Sequence, residues 1–202
     1  VMVKDFPQLD VKDTRVILLE AAADLIASYP DELRKATSKL LRRKNVDIRL
    51  NTKMENYNGQ HVTLADGSQI ETHTLIWTAG IKATEIVDGL GVEKASGGRV
   101  RVEPTLQLPG RPEAFVIGDA AFLTENGLPL PMLSTVAIQQ GKSAAQNIRR
   151  MINGKSLIPF HYKDPGLLAT IGRNAAVARI FGISFSGFIA WVIWVFLHIY
   201  RI

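Results

Sequence analysis

The pattern of apolar and polar positions in the first quarter of the chain predicts alternating strands and helices. Residues 15–20 hold an unbroken apolar run that ends in Glu20, which is typical of a central parallel strand buried on both faces. Residues 31–43 place apolar side chains on one face and charged ones elsewhere, which predicts an amphipathic helix. Residues 46–50 predict the next strand. This strand, helix, strand order indicates an α/β fold.

Two turn signals mark a small antiparallel insertion after this unit. The dipeptides Asn58-Gly59 and Asp66-Gly67 favour tight hairpin turns, and the alternating residues 61–64 lie between them. We therefore expect antiparallel strands within residues 53–70. The apolar run at residues 75–80 then predicts a further strand that ends in a turn of small residues.

The middle of the chain predicts two further strands and one long helix. Residues 99–107 alternate as an edge strand would, and the apolar run at residues 115–117 leads into Gly-Asp-Ala-Ala at residues 118–121. Residues 134–152 predict the long helix, which an Asn-Gly pair ends. A buried strand that ends in Gly-Asp before a helix places a carboxylate and several amides at the edge of a sheet. Open α/β sheets bind ligands at that edge.

The apolar stretch at residues 180–200 is the main signal near the C-terminus. It contains no Asp, Glu, Lys or Arg, and it is rich in Phe and Trp. A stretch of about 20 uncharged residues can span a bilayer. Its glycines, serines and aromatic residues instead favour a helix that lies in the membrane interface. A buried core helix is the alternative, and it would need more covering surface than so small a chain offers.

Composition and charge exclude several classes of function. The chain has 202 residues, no cysteine, and a formal net charge of +5 from 24 basic and 19 acidic side chains. Without cysteine there is no disulfide framework, no thiolate metal site and no cysteine-based redox relay. The 4 histidines are too scattered to predict a metal site. The basic runs are short and lack interleaved aromatic residues, so we expect a membrane surface and not a nucleic acid as a partner.

Two motifs resemble those of the type II NADH:quinone oxidoreductases, also called alternative NADH dehydrogenases. They are Phe-Val-Ile-Gly-Asp-Ala-Ala at residues 115–121 and Ala-Ile-Gln-Gln-Gly at residues 137–141, and the likeness covers nearly the whole chain. The resemblance implies a membrane-associated flavoprotein that passes a hydride from NADH to FAD and two electrons on to a membrane quinone. Disulfide reductases and sulfide:quinone oxidoreductases, which are similar flavoproteins, are disfavoured because they depend on reactive cysteines.

The resemblance also implies a domain organisation. We expect part of a fold with two dinucleotide-binding domains, in which residues 1–73 belong to the NADH-binding domain and residues 74–153 to the FAD-binding domain. Residues 154–202 would form a membrane-anchoring segment on the cytoplasmic face of the cell membrane, or of an equivalent organelle inner membrane. The oligomeric state is open, and a homodimer is one option.

The chain lacks a glycine-rich dinucleotide loop. The nearest match, residues 89–94, fails at the third glycine and follows no suitable strand. Residues 1–5 have neither the charged start nor the apolar core of a signal peptide. We therefore expect a cut inside a larger protein, with both glycine-rich loops of the family before Val1, and an isolated chain that is inactive. The alternative is a non-enzymatic membrane-docking and interaction module without a bound cofactor.

Carboxylates at strand ends are the first candidate site residues. Glu20 can accept hydrogen bonds from the adenosine ribose and repel a 2′-phosphate, and a solvent-exposed strand-end carboxylate is the alternative. Asp119 can bind a ribityl hydroxyl, as the matching aspartate of the family does, while the amides of Gly118 and Ala120 face the cofactor. A capping aspartate is the alternative for Asp119.

Residues near the opening of the long helix are the second group of candidates. Amides around Ala137 carry partial positive charge, which can stabilise a reduced, anionic flavin. Gln139 and Gln140 offer donors and acceptors without charge, so they can orient a quinone carbonyl in an apolar slot. Polar residues on the wet face of a surface helix are the alternative. Ala79 and Gly80 can let the backbone pass close to the flavin or nicotinamide, with a plain turn as the alternative. Hydride transfer needs no acid or base side chain, and we assign no catalytic residue.

Overall fold

The structure, a computed structural model, describes residues 14–201, without the side chains of residues 200 and 201. The expected cut before residue 1 lies outside this range. The chain divides into two compact units, one formed by Val1–Ile76 with Pro165–Ile202 and the other by Trp77–Asp164. Residues 165–202, which are part of the predicted membrane-anchoring segment 154–202, group here with the N-terminal residues. The functional roles of the three predicted ranges stay predictions.

The first unit begins with the predicted strand, helix and strand. Strand β1 (Val16–Leu19) pairs in parallel with β2 (Val46–Arg49), and helix α1 (Asp31–Arg42) connects them. Acidic side chains lie in the first turn of α1 and basic ones in its last turn, as the helix dipole favours. These three elements are confirmed. Val16 is 50% exposed, however, so the expected burial of β1 on both faces is wrong for its first residue.

The antiparallel insertion is also confirmed. Strands β3 (Met54–Tyr57), β4 (His61–Leu64) and β5 (Gln69–Glu71) form one antiparallel sheet. The two predicted turns join them, and their glycines, Gly59 and Gly67, have φ values of 97° and 83°. Glycine adopts such left-handed angles without a Cβ clash, which explains why these dipeptides signal a hairpin.

The strand predicted at residues 75–80 is wrong. These residues have no regular secondary structure, and Ile76 and Trp77 are 79% and 64% exposed. A strand forms only when a neighbouring strand satisfies its backbone groups, and no strand within residues 14–201 pairs with this run. The apolar pattern of this run is therefore not sufficient to form a strand within residues 14–201.

The second unit combines short strand pairs with the long predicted helix. Its strands are β6 (Val100–Arg101), β7 (Gln107–Leu108), β8 (Arg111–Phe115), β9 (Ala121–Phe122), β10 (Thr124–Glu125) and β11 (Leu128–Pro129). Strand β6 pairs in parallel with β9, whereas β7 with β8 and β10 with β11 form antiparallel pairs. Helix α2 (Ser134–Ile152) confirms the helix prediction.

Two strand predictions in this unit need correction. The strand expected at residues 99–107 breaks into β6 and β7, because Pro104 begins a turn and Leu106 adopts a positive φ of 71°. Leu106 is fully buried, so core packing holds this backbone conformation. The strand before the Gly-Asp pair runs from Arg111 to Phe115 in a hairpin, and the apolar run at residues 115–117 extends beyond its end.

Two apolar clusters form the core of this unit. The buried side chains of the first cluster are Leu106, Leu123, Leu130, Val136, Ala144 and Phe160. Those of the second are Ala83, Val87, Val100 and Leu108, with Val116 and Ala120 packed against them. Helix α2 contributes Val136 and Ala144 to the first cluster, and residues next to the Gly-Asp pair pack against the second. Core packing therefore holds both α2 and the region of the Gly-Asp pair in place.

The C-terminal part of the first unit is a sheet followed by a helix. Strands β12 (Leu167–Gly172), β13 (Ala175–Ile180) and β14 (Ile183–Gly187) are antiparallel, and helix α3 (Phe188–Arg201) follows directly. Helix α1 also packs against this sheet. Ala176 and Ala178 of β13 are fully buried with Ala190 of α3, because small side chains let the helix approach the sheet closely.

The single helix predicted over residues 180–200 is therefore wrong in its first part. Gly182 and Gly187 have φ values of 80° and 74°, which a continuous helix cannot contain, and the β-branched and aromatic residues between them favour a strand. The helix begins at Phe188. Within residues 14–201, no helix combines the length and apolar character needed to cross a bilayer.

Candidate functional site

The candidate site of the second unit lies where the turn after β8 packs against the first turns of α2. Strands β9 to β11 separate the two in the sequence. Gly118–Ala120 form a single 3₁₀ turn after β8, and Gly118 has a positive φ of 65°. A Cβ atom on Gly118 would lie 3.3 Å from the Cβ of Ala137, and one on Gly141 would lie 3.8 Å from the side chain of Ile117. Small residues on both sides therefore let the turn sit directly against the helix.

Asp119 is exposed in the middle of this turn. Its carboxylate accepts no hydrogen bond from any residue within 14–201, and no side chain caps the turn. The capping alternative would require a bond from the carboxylate to a nearby amide. Asp119 is thus an acceptor that the described part of the chain leaves available to a ligand, and its contact with a ribityl hydroxyl stays a prediction.

Gln140 does not line an open slot. Its side chain is only 1% exposed, and its Oε1 accepts a hydrogen bond of 2.7 Å from the backbone N–H of Gly118. The Gly118 amide, which we expected to face the cofactor, therefore faces Gln140 in this structure. In this structure the core of the unit encloses the Gln140 amide, so its polar atoms face the protein interior. Contact with a quinone stays a prediction.

Gln139 is held by a different segment. Its Nε2 donates to the carbonyl oxygen of Lys163 at 2.8 Å, and its Oε1 accepts from the N–H of the same residue at 3.0 Å. This two-point contact resembles one step of a β-ladder, with a side-chain amide in place of a neighbouring strand. The amide is half-buried, and both its oxygen and its nitrogen are hydrogen-bonded to the backbone of Lys163. The alternative of polar residues on the solvent-facing side of a surface helix is wrong for Gln140, which is buried, and it describes the half-buried Gln139 only in part.

The segment that contacts Gln139 forms further polar contacts with this unit. Tyr162 Oη and Thr135 Oγ1 are 2.9 Å apart, and the Tyr162 N–H donates to Glu125 Oε2 at 3.2 Å. His161 Nδ1 lies 3.0 Å from Glu125 Oε1. Sequence reasoning missed these contacts because they join residues 27 to 37 positions apart, and no local pattern signals them.

The small side chain of Ala137 allows the Gly118 turn to pack closely, but the Ala137 amide is not free. Its N–H donates to the carbonyl of Leu133 at 3.0 Å, so it is already part of the helix hydrogen-bond ladder. The unpaired amides of a helix are those of its first turn, which here begins at Ser134. The expected positive helix end is therefore about one turn earlier than Ala137.

The remaining predicted site residues lie away from this turn in the sequence. In the first unit, Glu20 is half-buried directly after β1, and its Oε1 accepts a hydrogen bond of 2.8 Å from the N–H of Ala22. This contact engages one oxygen of the carboxylate. Ala79 and Gly80 are exposed in the unpaired segment of the second unit, where Gly80 has a φ of 84°. No group of three or more His, Asp or Glu side chains within residues 14–201 could hold a metal ion.

Comparisons with known proteins agree on a family. The model of the pyridine nucleotide-disulphide oxidoreductase family matches residues 8–141. A Mycobacterium tuberculosis protein named type II NADH:quinone oxidoreductase Ndh is 34% identical over 96% of this chain and 43% of its own length. A Staphylococcus epidermidis protein named type II NADH:quinone oxidoreductase is 28% identical over 89% of this chain and 46% of its own. The chain thus spans less than half the length of these curated relatives, and the resemblance seen in the two motifs is confirmed.

Solved structures support the fold. The structure of NDH2 from Plasmodium falciparum in complex with NADH has a TM-score of 0.77 at 14% identity, over 91% of this chain and 54% of that one. Reduced Bacillus anthracis CoADR-RHD has a TM-score of 0.65 at 22% identity, over 81% of this chain and 29% of that one. At these identities the likeness concerns the fold alone, and it confirms the α/β part of the predicted fold class.

Proposed function

Because the chain belongs to the pyridine nucleotide-disulphide oxidoreductase family, we propose that it forms part of an FAD-dependent enzyme that oxidises NADH and reduces a membrane quinone. The observation that carries the proposal is the turn at Gly118–Ala120, which is packed against α2 and leaves the Asp119 carboxylate without a partner within residues 14–201. The names of the curated relatives support the choice of NADH and quinone as substrates.

The residues of this turn fit a flavin cofactor. A ribityl chain offers hydroxyl groups, and the exposed Asp119 carboxylate can accept hydrogen bonds from them. The absence of a side chain on Gly118 keeps the backbone close to α2, where a larger residue would meet Ala137. When bound, FAD would supply the redox chemistry that accepts a hydride and releases two electrons. The protein would bind and orient the two substrates, and no side chain would serve as a general acid or base.

Nucleotide binding in the first unit is proposed at Glu20. Half-buried at the carboxyl end of a parallel strand, it stands where dinucleotide folds place the acid that binds a ribose. Only its Oε1 contacts the backbone of Ala22, so the carboxylate can bind a ribose hydroxyl through Oε2. We also propose that Ala79 and Gly80, which are small, let the backbone approach the cofactors closely.

The quinone is proposed to approach the first turns of α2, which carry Gln139 and Gln140. Both amides are engaged with backbone, so they would shape that side of the site by holding the Gly118 turn and the Lys163 segment. Their direct contact with the quinone would require exchange of these hydrogen bonds.

The membrane is proposed to contact α3. Its exposed apolar side chains fall within roughly a 100° sector of the helix surface. They are Phe188, Ile189, Val192, Phe196 and Ile199. A helix of 14 residues with one apolar face suits insertion into the interface of a bilayer and not passage through it. We further propose that the protein lies on the cytoplasmic face of the membrane, where NADH is available. We also propose that it forms a homodimer.

The test is the flavin content of the full-length protein that carries this chain. Asp119→Ala removes an acceptor for a cofactor hydroxyl, and a lost hydrogen bond to a charged group costs about 1.5–3 kcal/mol. We expect the ratio of flavin to protein absorbance to fall in this variant. The matched control is Glu113→Ala, which removes an exposed carboxylate in β8 of the same unit. Full flavin content in Asp119→Ala would contradict the proposed site, and a wild-type protein without flavin would favour the docking-module alternative.

A further inference from the structure

Three positions on one side of α2 fix the turn that carries Asp119. Ala137 meets Gly118 at close range, Gly141 leaves room for Ile117, and Gln140 accepts the Gly118 N–H at 2.7 Å. Within residues 14–201, Gln140 is the one side chain that forms a hydrogen bond with the Gly118–Ala120 turn. This contact acts together with the packing of Val116 and Ala120 in the second apolar cluster to hold the turn that carries Asp119.

The chemistry of the contact fixes the orientation of the Gln140 amide. A backbone N–H can only donate, so the atom that faces it must be the carbonyl oxygen of the side chain and not the amine. Gln140 is 1% exposed, so water cannot take over the role of the acceptor in the native packing. A buried N–H without an acceptor is costly, and the turn would move to find one.

A packing role alone would not require glutamine at this position. A methionine has a similar length and volume and would fill the same buried space, but it lacks the acceptor oxygen. A glutamate has the same shape and keeps an acceptor oxygen whether or not it is protonated. The two substitutions therefore separate the hydrogen bond from the volume of the side chain.

We propose that Gln140 is a positioning residue for flavin binding, which acts through its hydrogen bond to Gly118 and thereby sets the place of the Asp119 carboxylate. The proposal rests on the proposed function for its flavin part and on the geometry of the chain for its structural part. It assigns to Gln140 a role on the cofactor side of the site, through the backbone and not through contact with a substrate.

The structural part is tested by amide hydrogen exchange of the full-length protein that carries this chain, followed by NMR. In Gln140→Met, we expect the Gly118 amide to exchange at least about tenfold faster, because the N–H has lost its acceptor. Gln140→Glu should stay within about threefold of the wild type, since it keeps an acceptor oxygen. Gln146→Met is the matched control, because Gln146 is an exposed glutamine of the same helix. Amides in the middle of α2 should stay protected in all variants, which shows that the helix is folded.

The flavin part is tested by the dissociation constant of FAD in the full-length protein. We expect it to rise by about tenfold in Gln140→Met and to change little in Gln140→Glu and Gln146→Met. Unchanged exchange at Gly118 in Gln140→Met, or equally fast exchange in Gln140→Glu, would overturn the role of the hydrogen bond. Faster exchange with unchanged FAD affinity would overturn the positioning role while leaving the proposed function intact. A wild-type protein that binds no FAD would defeat the proposed function itself, and the exchange data would still report on the contact.

Discussion

At the scale of single residues, Gly166 is the position where the backbone leaves the least room for a side chain. Its φ is 112°, and a Cβ atom there would overlap the backbone oxygen of Arg179 in the neighbouring strand. Gly59 has a similar φ of 97° but open space around it. A comparison of these two glycines separates backbone strain from steric overlap.

We predict that Gly166→Ala lowers the free energy of unfolding more than Gly59→Ala does. Both substitutions introduce backbone strain, but only the first adds an overlap, which costs about 1–3 kcal/mol when a packed region must move. Urea unfolding of the full-length protein that carries this chain measures both. Equal losses in the two variants would show that β12 and β13 can separate at this point without cost.

Glu20 is the residue that we expect to set the preference between NADH and NADPH. Glu20→Gln should narrow the preference of the full-length enzyme for NADH over NADPH, because a neutral amide no longer repels the 2′-phosphate. The same amide can still accept the hydrogen bond from Ala22, so the local backbone should be preserved. The ratio of kcat/KM for the two nucleotides is the measurement. An unchanged ratio would reduce Glu20 to a strand-end carboxylate that holds Ala22.

At the scale of secondary-structure elements, α3 presents two different faces. Trp191 packs against the sheet at the cluster of Ala176 and Ala178, whereas Phe188 and Phe196 are 60% and 69% exposed. Phe188 and Phe196, and not Trp191, would thus contact the bilayer. The sequence alone could not separate the two faces, because residues 180–200 contain no Asp, Glu, Lys or Arg to mark a solvent-facing side.

We predict that Phe188→Glu with Phe196→Glu releases the full-length protein from lipid vesicles. Each buried aromatic side chain contributes about 1.5–3 kcal/mol of apolar transfer, so loss of both should weaken binding by far more than about tenfold. Ser186→Glu with His198→Glu adds the same charge beside or on α3, at positions outside the apolar sector. Flotation with liposomes compares the two variants. Equal flotation of both would place the membrane contact elsewhere.

Elements with local signals could be predicted from the sequence, whereas those that depend on distant partners could not. The amphipathic pattern of α1 and the Asn-Gly and Asp-Gly turns act within a few residues, and all are confirmed. The run at residues 75–80 and the stretch at residues 180–200 were misread, because pairing and small-residue packing decide their structure. In the candidate site, the Gly118 turn was predictable from its motif. The glutamine contacts were not, because they join residues 22 and 24 positions apart.

At the scale of the whole molecule, the chain combines two compact units that carry different parts of the proposed activity. The first unit holds Glu20 and the apolar face of α3, and the second holds the Gly118 turn and the glutamines. No glycine-rich dinucleotide loop is recognisable in the 202 residues, and the chain spans less than half the length of its curated relatives. We therefore expect the isolated chain to show no turnover of NADH with quinone.

The most direct test of the central claim is anaerobic stopped-flow absorbance of the full-length protein, with the isolated 202-residue chain as a control. We predict that NADH bleaches a flavin absorbance band and that a soluble quinone analogue then restores it. The isolated chain should show neither change. A full-length protein whose absorbance does not respond to NADH, or is bleached but not restored by quinone, would contradict the proposed function.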